Sequence, residues 1–502
     1  MAGPAGAAAR PWRAPVLAAL AGAAYPLGFA PFGWWPLAIA SPAVLFTLVG
    51  GPLPARRALA LGWLFGLGAF GVGVSWVYVS LHDYGRAPAA LAAVLTALFV
   101  AALALFPALL AWGAARLAPP GAWRLLLWLP AGWALAEWAR CWLLTGFPWL
   151  LLAHALVESP LAGLAPVAGQ HGMGLAGAGL AGLAAWAAGA PRRRALPAAL
   201  AAAAALAGGA LLGRLEWTRP TGAPVPVALV QGNVAQQEKW RPERRAATLA
   251  LYRELTLAQQ GVRLVLWPES AIPAFAHQAQ GYLDRLAARL APAGTALVTG
   301  ILHMDPASGR YHNSILAVGQ PAQLYHKRHL VPFGEVLPLR GLLGAAANLL
   351  NVPYADFSPG PARQPPLRAG GLVLGPTICY EIAFPALVRS ALPAAQVLVN
   401  VSNDGWFGDS LAPHQHLQIA RLRALETGRP LLRATNTGIT AVIGPHGRVL
   451  ARAPQFEVAV VRATVTPHGG LTPYVRLGDA PALLAAAALL ALATLARSRR
   501  GR

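Results

Sequence analysis

The first 213 residues are apolar almost throughout, broken only by Pro, Gly and Arg. Runs at 14–30, 36–52, 58–80, 88–115, 122–141, 163–189 and 195–213 each approach the ~20 residues an α-helix needs to cross a bilayer. The pattern therefore predicts seven membrane spans, the second short and the sixth rich in Ala and Gly; an eighth run lies at 480–496. Residues 214–479 change character. Short strand-like runs fall at 224–231, 262–267, 296–302, 313–318, 372–378, 396–402, 431–435, 440–444 and 457–465, and helical periodicity fills 241–260, 278–291 and 411–427. Strands alternating with helices predict an α/β layered domain. The expected organisation is a multi-span α-helical membrane domain over 1–213, an α/β domain over 214–479, and a last transmembrane helix with a basic tail over 480–502.

Composition sharpens this picture. The chain is 56% apolar and 12% charged, against about 25% charged in ordinary soluble domains, which excludes a single water-soluble globule. The net charge of +22 is not laid out as a nucleic-acid-binding face. Arg10 and Arg13 precede the first run, Arg56 and Arg57 follow the second, Arg116 follows the fourth and Arg124 stands at the start of the fifth. Arg192, Arg193 and Arg194 separate the sixth and seventh, and Arg497, Arg499, Arg500 and Arg502 follow the eighth. In an even-numbered weave all of these fall on one side. The positive-inside rule then predicts cytoplasmic termini and an extracytoplasmic 214–479, periplasmic in a Gram-negative cell. The first apolar run lacks a convincing small-residue cleavage site and is followed by further runs, so it reads as a span. Two well-separated cysteines, Cys141 and Cys379, exclude a disulfide framework.

The run 372–378 delivers Cys379 to a strand's carboxyl end, with Tyr380 and Glu381 behind it. That edge is where α/β folds place reactive groups, although a free cysteine is more often a small buried hydrophobe. A second apolar run ends in Trp267-Pro268-Glu269, and the stretch 324–335 supplies Lys327 and Glu335. A thiol attacking a carbonyl needs a base for its proton and a cation or donors for the oxyanion. Glu269, Lys327 and Cys379 meet that need if the fold gathers the strand ends. His414 and His416 sit two residues apart on a predicted helix, do not face one another, and lack a completing carboxylate, so no metal is expected. Arg140 and Glu137 lie one turn apart near the end of the fifth run. Ionisable groups at membrane depth are functional candidates, yet this pair can also neutralise itself.

Trp-Pro-Glu (267–269), Lys-x-x-Leu-Val-Pro-Phe-Gly-Glu (327–335) and Cys-Tyr-Glu (379–381), taken together, resemble the carbon–nitrogen hydrolase (nitrilase) superfamily. Their setting among membrane spans resembles one branch of it, the apolipoprotein N-acyltransferases. Further carriers of that resemblance are Gln-Gly-Asn (231–233) with Trp240, Tyr-His-Asn-Ser (311–314) and Asn-Asp-Gly-Trp-Phe-Gly (403–408). In the membrane part they are Ala-Pro-Phe-Gly-Trp-Trp-Pro (30–36), Thr-Gly-Phe-Pro-Trp (145–149) and Thr-Pro-Tyr-Val-Arg-Leu-Gly-Asp (472–479). Gly405 stands where the family pattern has Ala.

The resemblance implies an α-β-β-α sandwich and a two-step acyl transfer. Cys379 would take an acyl chain from a phospholipid and pass it to the N-terminal amine of a diacylglyceryl-modified apolipoprotein, with no cofactor. Glu269 would move protons, and Lys327 would steady the oxyanion and lower the thiol's pKa. Glu335 would hold Lys327, and Glu381 would support the site from behind Cys379. Tyr380 reads equally as pocket wall or participant, and Trp240 as packing or substrate contact. Asn403, Asp404, Trp406 and Phe407 form a turn expected to brace the site. Two rivals are a membrane-tethered amidase that uses water, which shares the trio but does not need eight spans, and a transporter with a degenerate outer domain. Finally, 336–357 is unusually apolar, with Leu342, Leu343, Ala346, Leu349 and Leu350 at helical spacing. It reads as a short greasy helix that either packs on the domain or dips into lipid as a lid.

Overall fold

The computed structural model describes residues 12–188, 192–319, 321–336 and 356–500. Most of the expected lid, 337–355, lies outside the described residues. Two six-stranded sheets face each other. One runs in the order β13 (Ala459–Val465), β2 (Val225–Gln231), β3 (Leu264–Leu266), β4 (Ala296–Met304), β5 (Tyr311–Val318) and β6 (Gln323–His326). The other runs β12 (Val449–Arg452), β11 (Ala441–Ile443), β10 (Leu431–Thr435), β9 (Val397–Ser402), β8 (Leu372–Ile378) and β7 (Leu367–Ala369). A two-residue pair, β1 (Arg219–Pro220) with β14 (His468–Gly469), lies apart.

Each sheet is parallel at its centre, β2-β3-β4 in one and β8-β9-β10 in the other. Parallel strands are buried on both faces, which explains their continuous Val and Leu runs. Val227, Leu229, Leu266 and Ile315 of the first sheet meet Leu374, Val399 and Leu432 of the second in a shared core. On the first sheet's far side, helices Pro242–Leu257 and Ala276–Leu290 bury Tyr252, Leu283 and Leu286 against Val265 and Ile301. The fourth layer is helix Ala412–Thr427.

All nine expected strands are present. The strands the pattern did not predict, β6, β7, β12 and the β1–β14 pair, are short and lie at sheet edges or outside the sheets. An edge strand buries too little to leave a clear apolar signature; in β12, half-buried and exposed positions alternate.

Helix Ala412–Thr427 is buried nearly all round although Gln415, His416, Gln418, Arg423 and Glu426 are polar. Ala412, Ile419 and Leu422 belong to the same core as Phe46, Phe65, Trp149 and Leu180 of the helical part, so this layer is wedged between sheet and membrane helices. Its polar side chains serve main-chain groups freed where membrane helices break. Gln415 Nε2 donates to the carbonyl of Gly73, 3.1 Å away, where helix Ala55–Gly73 ends before a 52° bend. Helix Ala165–Ala188 breaks at Gly169 (φ +65°). The next N–H, of Gln170, donates to Glu426 Oε1 at 2.8 Å, and a Cβ on Gly169 would stand 2.2 Å from the Tyr474 ring. Ala30 N–H, in the loop after helix Arg13–Ala24, donates to Gln418 Oε1 at 3.1 Å. Backbone groups away from water need such partners.

Helices occupy every expected span. Among the described residues, three are long and apolar enough to cross a bilayer: Ala89–Leu117, Ala195–Leu212 and Ala480–Ser498. The pair Ala55–Gly73 and Trp76–Tyr84 makes a fourth if the bend is one broken span. The others depart for visible reasons. Helices Arg13–Ala24, Trp35–Gly50 and Leu129–Arg140 have 12, 16 and 12 residues, and Ala165–Ala188 is broken at Gly169. Packing relies on small residues, as in membrane bundles generally; a Cβ on Gly22 would meet the Phe65 carbonyl oxygen at 2.0 Å.

Candidate active site

Parallel strands ending together bring the expected residues to one edge of the sandwich. Beyond β3, Trp267 turns outward, packs on Tyr252 (ring centroids 4.9 Å apart) and donates its indole N–H to Thr256 Oγ1 at 2.9 Å. Two residues on, Glu269 faces the site. Its chain lies so close to β4 that a Cβ on Gly300 would stand 2.5 Å from Glu269 Cα. Lys327 follows β6, and its Nζ sits 3.7 Å from Glu269 Oε1 and 2.8 Å from Glu335 Oε2. Asn313 of β5 ties the two carboxylates together: Nδ2 donates to Glu269 Oε1 at 2.7 Å and to Glu335 Oε1 at 3.0 Å. Glu335 also accepts from the Val331 N–H at 2.8 Å, which closes the 331–335 turn. Burial works against a charge on Lys327, but Glu335 and then Glu269 outweigh it and hold the ammonium well above its usual pKa.

Cys379 follows β8 in the left-handed region (φ +48°), a conformation costing a non-glycine residue about 1–2 kcal/mol. Hydrogen bonds to its carbonyl offset that cost: Asn400 Nδ2 lies 3.3 Å away and His416 Nε2 3.2 Å away. His416 is therefore a support for the Cys379 main chain. Its Nδ1 faces Arg433 Nη2 at 3.0 Å and Asp404 Oδ1 at 3.1 Å. Asp404 in turn accepts from Ser402 Oγ and Arg433 Nη2, each at 2.8 Å. Burial opposes the Asp404 charge; Arg433 and then His416 overcome it and push its pKa well down.

Burial pushes the Cys379 thiol up to about 12, Glu269 adding to the rise while Lys327 pulls the other way. Lys327 acts on the thiol in the expected direction, but desolvation and Glu269 outweigh it, so the net shift is upward. A resting thiol can attack a carbonyl only as a base takes its proton, and Glu269 is the carboxylate acting most strongly on it.

Glu381 sits fully buried beneath this arrangement. Oε1 accepts from the N–H groups of Arg328 (2.6 Å) and His329 (3.2 Å), and Oε2 from Tyr325 Oη and the Ile378 N–H, both at 2.9 Å. It pins the segment carrying Lys327 to the turn carrying Cys379. Tyr380 points toward the membrane part. Its hydroxyl donates to the Gly146 carbonyl at 2.9 Å, and its ring stacks on Trp149, whose indole N–H reaches Gln415 Oε1 at 2.7 Å.

Asn403 donates to Gln236 Oε1 at 2.7 Å, and Phe407 packs edge-on against Trp76 at 4.9 Å. Trp406 is exposed, and its carbonyl accepts from Ser80 Oγ at 2.9 Å. The 403–407 turn thus braces the site against the membrane part. Trp240 is 47% exposed. Glu137 and Arg140 approach only to 4.0 Å; both instead bind the 149–152 main chain, Arg140 Nη1 at 2.6 Å from the Trp149 carbonyl and Glu137 Oε1 at 2.7 Å from the Leu152 N–H. No group of three or more potential metal ligands occurs among the described residues.

Sequence reasoning assigned no part to Asn313, His416, Arg433 or Lys239. Asn313 stood inside a quoted motif without a charge to mark it. Arg433 lies in a strand run where a buried cation is unexpected, and its partner Asp404 is 29 positions away in the chain.

A family model described as carbon-nitrogen hydrolase matches residues 226–470, and one described as the apolipoprotein N-acyltransferase N-terminal domain matches residues 21–183. An apolipoprotein N-acyltransferase of Methylococcus capsulatus is 45% identical over 97% of this chain and 97% of its own. Another, of Pseudomonas paraeruginosa, is 44% identical over the same shares. Among solved structures, a CN-hydrolase superfamily protein of Xanthomonas campestris aligns over 52% of this chain and 97% of its own, at 20% identity and a TM-score of 0.37.

Proposed function

This chain belongs to the apolipoprotein N-acyltransferase family, and we propose from that membership how its own residues carry out the transfer. It is an N-acyltransferase of lipoprotein maturation, a membrane enzyme with a phospholipid donor and a lipoprotein acceptor. In our reading Glu269 takes the Cys379 proton as sulfur attacks the donor's ester carbonyl, and Lys327 donates to the oxyanion. Collapse expels the lysophospholipid alkoxide, which receives the proton from Glu269 and leaves a thioester. The α-amine of a diacylglyceryl-modified cysteine then attacks that thioester. Glu269 takes the amine proton and returns it to the departing thiolate, so the enzyme ends as it began. A thioester is activated toward amines relative to the donor ester, so the second step runs downhill, and a covalent intermediate lets two bulky lipids use one site in turn.

The observation that carries this reading is Lys327 held between Glu269 and Glu335, with both Lys327 and Glu269 acting electrostatically on Cys379. The membrane helices favour a lipid-to-lipid transferase over an amidase that uses water. We place eight spans in the bacterial inner membrane, both termini in the cytoplasm and the sandwich in the periplasm.

Incubation with a phospholipid of defined chains should raise the intact mass by one acyl group, removable by hydroxylamine and by an amine-bearing diacylglyceryl-cysteine peptide. Turnover without any such adduct would reject the thioester route. Orientation is checked separately, in a variant with Cys141 and Cys379 made Ala. An impermeant thiol reagent should label Ser308→Cys and spare Arg193→Cys in intact spheroplasts. The reverse pattern would invert the topology.

A further inference from the structure

Lys239 is a second buried ammonium beside Glu269, and the steps above give it no task. Its side chain is 2% exposed, and Nζ donates to the main-chain carbonyl of Glu269 at 3.0 Å. A buried ammonium is costly, so one held there calls for a reason. Glu269 needs anchoring. The next residue, Ser270, is left-handed at φ +47°, and the chain at 268–269 presses on Gly300 from one side. Lys239 holds the same stretch through its carbonyl. It also ends a loop bound to the opposite sheet: the Val234 N–H donates to Asn436 Oδ1 at 3.0 Å, and Gln236 Oε1 accepts from Asn403 at 2.7 Å. Exposed Trp240 comes directly after it.

We propose that Lys239 is a positioning residue for the acyl transfer: its ammonium fixes Glu269 against Gly300 and locks the Trp240 loop onto the base. This rests on the function assigned above. Misplacing a reacting group by about 1 Å costs up to about 100-fold, so losing this hold lowers the rate without removing any group that touches substrate.

Charge strengthens the hold: a neutral amine still donates to the carbonyl, but the ammonium's bond is roughly twice as strong. Burial pushes the Lys239 ammonium down to about 8, Glu269, the ionisable group facing it, opposing the fall. Lys327 is shifted above its ordinary 10.5, and the Cys379 thiol lies near 12. Of these three groups only Lys239 changes charge near pH 8, keeping its proton below that value and losing it above.

The test measures thioester formation alone, without acceptor amine, in the full-length detergent-solubilised enzyme with a defined phospholipid, across pH 6 to 10. The wild-type rate should fall as pH rises through about 8. Lys239→Met should form thioester about 10–100-fold more slowly at neutral pH, with no fall near 8. Lys239→Arg, which stays charged over the whole range, should lose the fall near 8 as well. A Met variant with the wild-type rate and profile would overturn the proposal. So would an Arg variant that still declines near pH 8, and that arm serves even if the Met variant does not fold. Cys379→Ala run in parallel keeps the two readings apart, because acylation persisting there would strike at the thioester route and not at Lys239.

Discussion

Cys379→Ser should lose at least about a thousand-fold in both half-reactions, the scale seen when a nucleophile is removed from an assembled site. The resting group is a thiol pushed up to about 12 by burial, so attack already depends on proton removal by a carboxylate. A serine hydroxyl is a far weaker acid again, and a carboxylate base is poorly matched to it. An acyl-serine would also be an ordinary ester, no more reactive toward an amine than the phospholipid it came from. The fold should be untouched, because the exchange alters one atom at a half-buried position and keeps the main-chain bonds from Asn400 and His416. Intact mass, transfer assay and thermal unfolding together check this. Near-wild-type transfer by the folded variant would dismiss Cys379 as acyl carrier.

Lys327→Met should damage activity and stability together. It removes the donor that we propose for the oxyanion, an effect of about 100-fold or more. It also leaves Glu269 and Glu335 sharing the Asn313 amide with no cation between them. Breaking a buried pair by deleting one partner costs about 3–5 kcal/mol. In the wild type the folded-state pKa of Lys327 lies above its ordinary 10.5, so its stabilising charge is complete below that value and lost only above it. In the variant the two carboxylates repel and at least one pKa rises. The folded state then binds more protons than the unfolded one through mildly acid pH, and stability falls as pH rises. Unfolding midpoints should therefore show a larger deficit at neutral pH than at about pH 5. An equal deficit at both would mean that Glu269 and Glu335 do not repel, and undiminished thioester formation would clear Lys327 of its role.

Strands buried on both faces, such as β8 and β9, wrote their position into continuous apolar runs, and so did the residues at their ends. Glu269 and Cys379 stood out at the ends of apolar runs, whereas Lys327 follows the unpredicted β6 and was picked out by the 327–335 motif. The supports did not stand out. His416 looked like half of a failed metal pair, since a helix read by itself does not reveal that Cys379 and Asp404 lie on its two sides. Asn313 is neutral and local pattern gives it no weight, yet it bridges both carboxylates. Edge strands β6 and β7 were invisible because they are only 4 and 3 residues long and each buries a single residue fully, Tyr325 and Leu367. The span count suffered from the reverse problem: an apolar run records burial in something apolar, and helix Trp35–Gly50, with 16 residues, reads the same whether lipid or neighbouring helices surround it.

Helix Ala412–Thr427 carries an implication for evolution and engineering. Gln415, Gln418 and Glu426 complete the main-chain hydrogen bonding of membrane segments at Gly73, Ala30 and Gln170, while His416 on the same helix holds the Cys379 carbonyl. One polar surface is thus read in two directions. Swapping sandwiches between relatives would import side chains matched to another scaffold's broken helices, and cutting the sandwich free would strand those side chains in water and leave their partners unserved in lipid. A chimera that keeps this helix with the membrane part retains the bonds at Gly73, Ala30 and Gln170, and its new sheets must then present the equivalents of Cys379 and Asp404 to His416.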